Sequence, residues 1–123
     1  MRTLLIDDSL TMRAIQRGIL TQLGHPDVDE AETAEQALAL LGEFDPDLIL
    51  VDRALPDMDG AALVRAIHAR SPSARVIVVA ADAHREAVVD AINAGAASYV
   101  AKPFTPDVLC QCITEVLARS GDD

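Results

Sequence analysis

The stretch Asp47-Leu-Ile-Leu-Val-Asp-Arg-Ala-Leu-Pro-Asp-Met-Asp-Gly60 decides the fold. Its apolar run, residues 48–51, is typical of a buried strand, and the strand ends at the carboxylate of Asp52. A turn then leads into a helix. Ligand chemistry in an open parallel sheet takes place just beyond the carboxyl ends of the strands. We therefore expect Asp52 to be a reactive group, although a lone carboxylate in this position can equally cap a strand or bind a loop amide.

The rest of the chain alternates short apolar runs with amphipathic segments. The other predicted strands are residues 3–6, 28–31, 74–79 and 98–101. The predicted helices between and after them carry capping residues at their starts, namely Ser9, Thr33 in a capping box with Gln36, Asp59, and Thr105 followed by Pro106. Apolar strands that alternate strictly with helices predict an α/β domain whose parallel sheet is covered on both faces.

The spacing of apolar residues predicts the buried faces of the helices. In the first helix the expected buried residues are Met12, Ile15, Ile19 and Leu23. The fourth helix is marked by Val88, Val89 and Ile92, and Gly95 ends it. In the last helix the expected buried residues are Val108, Leu109, Ile113, Val116 and Leu117.

Length and composition limit the possible functions. The 123 residues are expected to form a single domain, 1–123, and half of them are apolar. A net charge of −10 argues against direct nucleic-acid binding, which needs a basic surface. The sequence has no apolar run of bilayer-spanning length and no signal peptide, so we expect a cytoplasmic protein without membrane insertion. Cys110 and Cys112 are expected to be inert thiols, and the histidines to lie on the surface or in loops.

Functional residue types follow three of the five strands. Asp7 and Asp8 follow the first strand, Asp52 ends the third, and Lys102 follows the fifth. Two carboxylates about 4 Å apart repel by about 4 kcal/mol at an effective dielectric constant of about 20. A divalent cation relieves that repulsion, and oxygen ligands suit Mg²⁺. A carboxylate, a metal and a lysine together favour phosphoryl transfer to Asp52. The plainer alternative is an acidic patch with Lys102 as its salt-bridge partner.

These motifs, taken together and in order, carry a resemblance to a known family. The Asp7-Asp8 pair, Asp52 with Leu55-Pro-Asp-Met-Asp-Gly60, Gly95-Ala96 and Lys102-Pro103-Phe104 resemble the receiver domain of bacterial response regulators. The stretch Ser9-Leu-Thr-Met-Arg13 is similar to that of single-domain chemotaxis regulators. The resemblance covers essentially the whole chain. It implies a flavodoxin-like (βα)5 three-layer sandwich with strand order 2-1-3-4-5, the topology for which the chemotaxis receiver is a standard example.

The resemblance also implies roles for individual residues. Asp52 would accept a phosphoryl group from a phosphohistidine on a sensor histidine kinase or a phosphotransfer protein, and Lys102 would contact that group. The implied Mg²⁺ ligands are Asp8 directly, Asp7 largely through water, Asp52, and the backbone carbonyl of Ala54. The Lys102–Pro103 bond would be cis. A downstream protein would bind the face formed by the fourth helix, the fifth strand and the fifth helix.

Two positions depart from the family pattern. Receivers usually carry a Thr or Ser at the end of the fourth strand, whose hydroxyl binds the phosphoryl group, and here that position is Ala80. The aromatic residue of the usual switch is present as Tyr99. Either the backbone amide of Ala81 would replace the hydroxyl, or the output would be nearly independent of phosphate. Ala54 stands where a polar side chain often reaches the attacking water, a task that Asp82 would have to take over.

Four functions are consistent with the sequence. The first is a stand-alone phosphoacceptor that signals by protein–protein contact, without enzymatic activity beyond its own phosphorylation and dephosphorylation. The second is a pseudo-receiver whose partner binding is largely independent of phosphate, which Ala80 favours. The third is a phosphatase with an Asp nucleophile, which the missing second Asp in Asp52-Arg-Ala54 opposes. The fourth is a receiver cut from a longer regulator, although no output domain follows in this sequence.

Overall fold

The computed structural model describes residues 1–81 and 84–119. These residues form strands and helices in strict alternation: β1 (Thr3–Ile6), α1 (Leu10–Gln22), β2 (Val28–Ala31), α2 (Ala34–Leu40), β3 (Leu48–Asp52), α3 (Gly60–Arg70), β4 (Arg75–Ala80), α4 (Arg85–Ala94), β5 (Ser98–Ala101) and α5 (Pro106–Ala118). All strand pairs are parallel and the order is β2-β1-β3-β4-β5. The predicted α/β architecture and strand order are confirmed.

The sheet separates two apolar layers. Along β1, Leu4 and Ile6 point to one side and Leu5 to the other, because successive side chains of a strand alternate between its faces. The first layer holds buried residues of α2, α3 and α4, and the second holds those of α1 and α5. The core is therefore aliphatic on both sides of the sheet.

The predicted helix caps form as expected. The side chains of Ser9, Thr33, Asp59 and Thr105 each accept a hydrogen bond from the backbone N–H three residues further on. The capping box at Thr33 is incomplete, because the Gln36 side chain accepts from the N–H of Glu32 at 2.8 Å. The fourth strand runs one residue later than predicted, since Ala74 is held in a turn by its N–H bond to the Ser71 carbonyl.

The predicted buried face of α1 is wrong in part. Ile19 is buried as expected, but Ile15 is 45% exposed, and Arg13 and Gln16 take inward positions. The inner face is thus rotated by about one residue from the apolar stripe. Burial of Arg13 is possible because its guanidinium finds partners at the carbonyl of Asp7 and the carboxylate of Glu30.

The last two helices also leave apolar residues on the surface. Val108 lies in the first turn of α5 and is 50% exposed, so the prediction that α5 buries it is wrong. In α4 the buried side consists of Ala87, Ala91 and Ala94, while Val89 and Ile92 are exposed. The small alanines let α4 pack closely, and the branched residues are left outward.

Within the described part of the chain, no helix has both the length and the apolar character needed to cross a bilayer. Asp82, expected to orient a water molecule, lies outside the described residues.

Candidate functional site

The three acidic residues meet at the carboxyl end of the sheet. Asp7 and Asp8 directly follow β1, and Asp52 is the last residue of the neighbouring strand β3, whose Val51 pairs with Ile6. One carboxylate oxygen from each of the three can be chosen so that all lie within 4.8 Å of one another. Asp7 is 1% exposed and Asp52 6%, whereas Asp8 is exposed. The sheet register therefore places a partly buried acidic trio at one edge.

The carboxylates of Asp7 and Asp52 are each held by one backbone amide. Asp7 Oδ1 accepts a hydrogen bond from the N–H of Ser9 at 2.8 Å, and Asp52 Oδ1 accepts one from the N–H of Ala54 at 3.2 Å. The second oxygen of Asp7, Oδ2, is buried without a hydrogen-bond partner among the described residues. A buried carboxylate oxygen without a hydrogen-bond donor is costly.

Lys102 places a positive charge beside these carboxylates, although it follows β5, the strand at the edge of the sheet. Its Nζ lies 3.4 Å from Asp52 Oδ1 and 3.6 Å from Asp7 Oδ2. The Lys102 N–H donates to the carbonyl of Ala80 at 2.7 Å, and the Lys102–Pro103 peptide bond is cis. One ammonium group thus stands between two buried carboxylates.

Burial and repulsion act together on Asp7. Its pKa is raised above the ordinary value, chiefly because burial disfavours the charged form and also because Asp52 and Asp8 add negative charge; the Ser9 amide and Lys102 oppose the shift. A single ammonium does not balance three carboxylates. The Asp7 oxygen that accepts no hydrogen bond among the described residues and the all-oxygen donor set fit a small hard dication such as Mg²⁺.

The loop after Asp52 is closed upon itself. Ala54 and Asp59 form an isolated antiparallel bridge across it. Gly60 is required where the loop enters α3, because a Cβ there would lie 2.8 Å from the Arg53 Cα. The bridge keeps the Ala54 carbonyl, an implied metal ligand, in a loop of defined shape beside Asp52.

Asp57 ties the same loop to the start of α2. Its two carboxylate oxygens accept hydrogen bonds from the N–H groups of Ala34 at 2.9 Å and Glu35 at 3.0 Å. These bonds hold the pKa of Asp57 below its usual value. No local sequence pattern predicts this contact, because the two segments are more than twenty residues apart.

The positions of the implied switch lie on β4, directly after it, and on β5. Ala80 ends β4, is 3% exposed and pairs with Ala101, the residue before Lys102. Ala81 follows it and is exposed. Tyr99 lies on β5, partly buried against the layer formed by α2, α3 and α4. The end of β4 offers a methyl group where receivers usually offer a hydroxyl.

The remaining candidate residues are dispersed. His68 lies on α3, where its Nε2 is 2.8 Å from the carbonyl of Gly95. His25 lies just beyond the C-terminal end of α1. Cys110 and Cys112 are free thiols on α5, and Cys112 Sγ contacts the Ser98 hydroxyl at 3.2 Å. None of these side chains joins the acidic trio within the described residues.

Comparison with known proteins assigns the chain to a family. The model of the response regulator receiver domain matches residues 3–114. The chain is 38% identical over its whole length to a chemotaxis protein CheY homolog of Campylobacter jejuni, of which it covers 97%. Its fold is similar to that of a CheY-like receiver domain protein from Methanospirillum hungatei, with a TM-score of 0.90, 34% identity and coverage of 98% of this chain and 96% of that one.

A second structure is similar in fold and carries a modification. It is a response regulator protein from Burkholderia pseudomallei, solved with a phosphorylated aspartic acid, a calcium ion and citrate. The TM-score is 0.84 at 26% identity, and the alignment covers 98% of this chain and 69% of that one.

Proposed function

This chain belongs to the family of response regulator receiver domains of two-component systems, and on that premise we propose that Asp52 accepts a phosphoryl group from the phosphohistidine of a sensor kinase or phosphotransfer protein. The observation that carries the proposal is the position of Asp52, which is 6% exposed, lies next to the carboxylate of Asp7 and is 3.4 Å from the ammonium of Lys102. The phosphorylated aspartate in the related Burkholderia regulator supports the same chemistry.

The proposed step is a nucleophilic displacement at phosphorus. A carboxylate oxygen of Asp52 attacks, a new P–O bond forms, and the P–N bond to the donor imidazole breaks, so that the imidazole leaves and takes up a proton. Lys102 is near enough to Asp52 for its Nζ to bind an oxygen of the incoming group.

A metal would be held by Asp7, Asp8, Asp52 and the Ala54 carbonyl in this proposal. When bound, Mg²⁺ would neutralise charge on the phosphoryl oxygens. The residues themselves contribute orientation: the amides of Ser9 and Ala54 fix one oxygen on each of the two buried carboxylates. The second oxygen of each carboxylate would then meet a cation or phosphorus.

The experiment is incubation with a small acyl phosphate and Mg²⁺, followed by intact mass spectrometry. We expect a single phosphoryl addition that EDTA prevents and that Asp52→Asn abolishes. Asp57→Asn is the matched control, because it removes a carboxylate five residues away that caps α2. Addition at full level in Asp52→Asn would refute the assignment, and loss of addition in Asp57→Asn would show that the variants act through the loop.

We propose that the output is a protein–protein contact at the face formed by α4, β5 and α5. That face presents Val89, Ile92 and Val108, each between 44% and 50% exposed. Apolar side chains on an otherwise acidic surface favour a protein partner over nucleic acid. Ala80 bears on how strongly phosphorylation at Asp52 changes this face, because the usual hydroxyl is missing.

A further inference from the structure

Arg13 on α1 reaches back to the acidic turn. Arg13 is 6% exposed, and its Nη1 donates a hydrogen bond to the backbone carbonyl of Asp7 at 2.5 Å. Its Nε donates to Glu30 Oε1 at 2.7 Å. A guanidinium is a rigid fork, so two bonds in different directions fix its plane. The Asp7 carbonyl is thus held by a side chain that is itself immobilised.

Strand β2 holds Asp7 from both sides. The N–H of Asp7 donates to the carbonyl of Ala31 at 3.1 Å, and its carbonyl is bound by Arg13, which Glu30 anchors. Glu30 is fixed in turn by Arg17, whose Nη2 lies 2.6 Å from Glu30 Oε2. Glu30 and Ala31 are neighbours on β2, so the peptide units flanking Asp7 are both tied to one strand.

The orientation of Asp8 depends on this arrangement. Among the described residues, no group hydrogen-bonds the Asp8 carboxylate, and the side chain is exposed. Its direction is therefore set by its backbone, which begins with the Asp7–Asp8 peptide. The carbonyl of that peptide is the group that Arg13 holds.

We propose that Arg13 is a positioning residue of the Mg²⁺ site: by holding the Asp7 carbonyl it aims the carboxylates of Asp7 and Asp8 at a common point. The inference rests on the proposed metal-dependent function and adds a residue to it. Groups that orient metal ligands without touching the metal typically contribute about 10–100-fold to metal affinity.

Charge alone predicts the opposite effect. Arg13 is a cation near an acidic cluster and repels a dication there. Its removal should therefore strengthen dication binding if charge alone matters. The sign of the change in affinity therefore separates positioning from a purely electrostatic role. Arg17 is the matched control, because it also pairs with Glu30 but donates to the carbonyl of Val28 and not to Asp7.

The test compares Mg²⁺ dissociation constants by calorimetry in wild type, Arg13→Met and Arg17→Met, with melting temperatures measured in EDTA. Met keeps the apolar volume of the side chain and removes the donor. We expect Arg13→Met to raise the Kd about tenfold or more, and Arg17→Met to change it less than about threefold, whatever either does to the metal-free melting temperature. At a Mg²⁺ concentration raised in proportion to the Kd, phosphorylation of Arg13→Met by a small acyl phosphate should regain the wild-type rate.

The inference would be overturned if the Mg²⁺ Kd of Arg13→Met were unchanged or lower, or if Arg17→Met lost as much Mg²⁺ affinity as Arg13→Met. Either result leaves the proposed function standing as long as wild type accepts a phosphoryl group. Where Arg13→Met does not fold, Arg13→Leu takes its place because it also removes the donor, and a wild-type Kd in that variant has the same meaning. Wild type that neither binds Mg²⁺ nor accepts a phosphoryl group would instead overturn the proposed function, and the inference with it.

Discussion

The ammonium of Lys102 lies 3.4 Å from a carboxylate oxygen of Asp52, although 50 residues separate the two in the chain. Asp52 ends β3 and Lys102 directly follows β5, and these two strands flank β4 in the sheet. Lys102 is also 3.6 Å from Asp7, so it offsets part of the repulsion between two buried carboxylates. The metal-free protein therefore folds around an acidic site that one cation leaves incompletely neutralised.

Mg²⁺ should stabilise the folded protein. A ligand that binds only the folded state, at ten times its Kd, adds about 1.4 kcal/mol to the free energy of unfolding. That gain corresponds to a melting temperature roughly 4 °C higher for a domain of this size. Thermal melts followed by circular dichroism, with and without millimolar Mg²⁺, provide the measurement.

Asp8→Ala is the partner experiment for the cation effect. The Asp8 carboxylate belongs to the trio but is exposed, so its removal leaves the core intact. We expect most of the Mg²⁺ gain to disappear in this variant. An equal gain in Asp8→Ala and in wild type would place the stabilising cation elsewhere on the protein.

Asp7→Asn should stabilise the metal-free protein at neutral pH. The pKa of Asp7 is raised in the folded state, mainly by burial, so the unfolded chain loses this proton first as pH rises. Ionised Asp7 thus imposes no penalty below the ordinary Asp pKa of about 3.8 and its full penalty above the raised value. Urea unfolding in EDTA should show Asp7→Asn to be more stable than wild type at pH 7, with the difference shrinking towards zero at pH 3.5.

For Asp57→Asn we expect a change in stability of the opposite sign. The amides of Ala34 and Glu35 lower the pKa of Asp57, so its contribution to stability is present above the ordinary Asp pKa and is lost as pH falls through the lowered one. This variant should be less stable than wild type at pH 7 and approach it in acid. A gain at pH 7 in both variants would mean that net negative charge, not the site, governs the result.

The phosphorylated form should hydrolyse slowly. Hydrolysis needs an oriented water molecule, and Ala54 presents only a methyl group near Asp52, the proposed phosphorylation site. Ala54→Asn should speed the loss of the phosphoryl group roughly tenfold, equivalent to about 1.4 kcal/mol in the activation barrier. Decay of the phosphorylated mass with time gives the rate. Ala54→Leu, of similar size but without a polar atom, should decay like wild type; a slower or unchanged rate in Ala54→Asn would contradict the argument.

Ala80→Thr should couple phosphorylation more strongly to the output face. A hydrogen bond to a charged group contributes about 1.5–3 kcal/mol, which is a roughly ten- to hundredfold change in a conformational equilibrium. Ala80 is buried at the end of β4 and offers no such bond. Amide chemical shifts across α4 and at Tyr99, recorded with and without a stable phosphoryl mimic, should change more in Ala80→Thr than in wild type.

The control for that comparison is Ala80→Val, which has the shape of Thr and lacks the hydroxyl. Val should respond to the mimic as wild type does. Equally large shifts in wild type and in Ala80→Thr would show that the hydroxyl is dispensable in this protein and that another donor, such as the Ala81 amide, carries the switch.

Local patterns in the sequence predicted the elements and their caps well. The cap at Ser9 and the strand that ends at Asp52 depend on a few adjacent residues, and the structure has both. Because strands and helices alternate, the strands are parallel and their carboxyl ends lie along the same edge of the sheet. The proximity of Asp7 and Asp52 therefore follows from the topology.

Rotation and long-range capping could not be predicted in the same way. The rotation of α1 is set by the turn before it and by the partners available to Arg13, so the exposed Ile15 and the buried Gln16 contradict the apolar stripe. The local sequence predicts that Asp57 is a turn residue, yet its carboxylate caps α2. Contacts of this kind appear only once the segments are packed together.

The separation of the core by the sheet bears on how the protein tolerates sequence change. Ile67 on α3 belongs to one apolar layer and Ile113 on α5 to the other. Substitutions at positions without shared partners usually add in free energy, whereas those in contact do not. Epistasis among core positions should therefore follow the faces of the sheet, so that the α1–α5 side and the α2–α3–α4 side can diversify as nearly independent units.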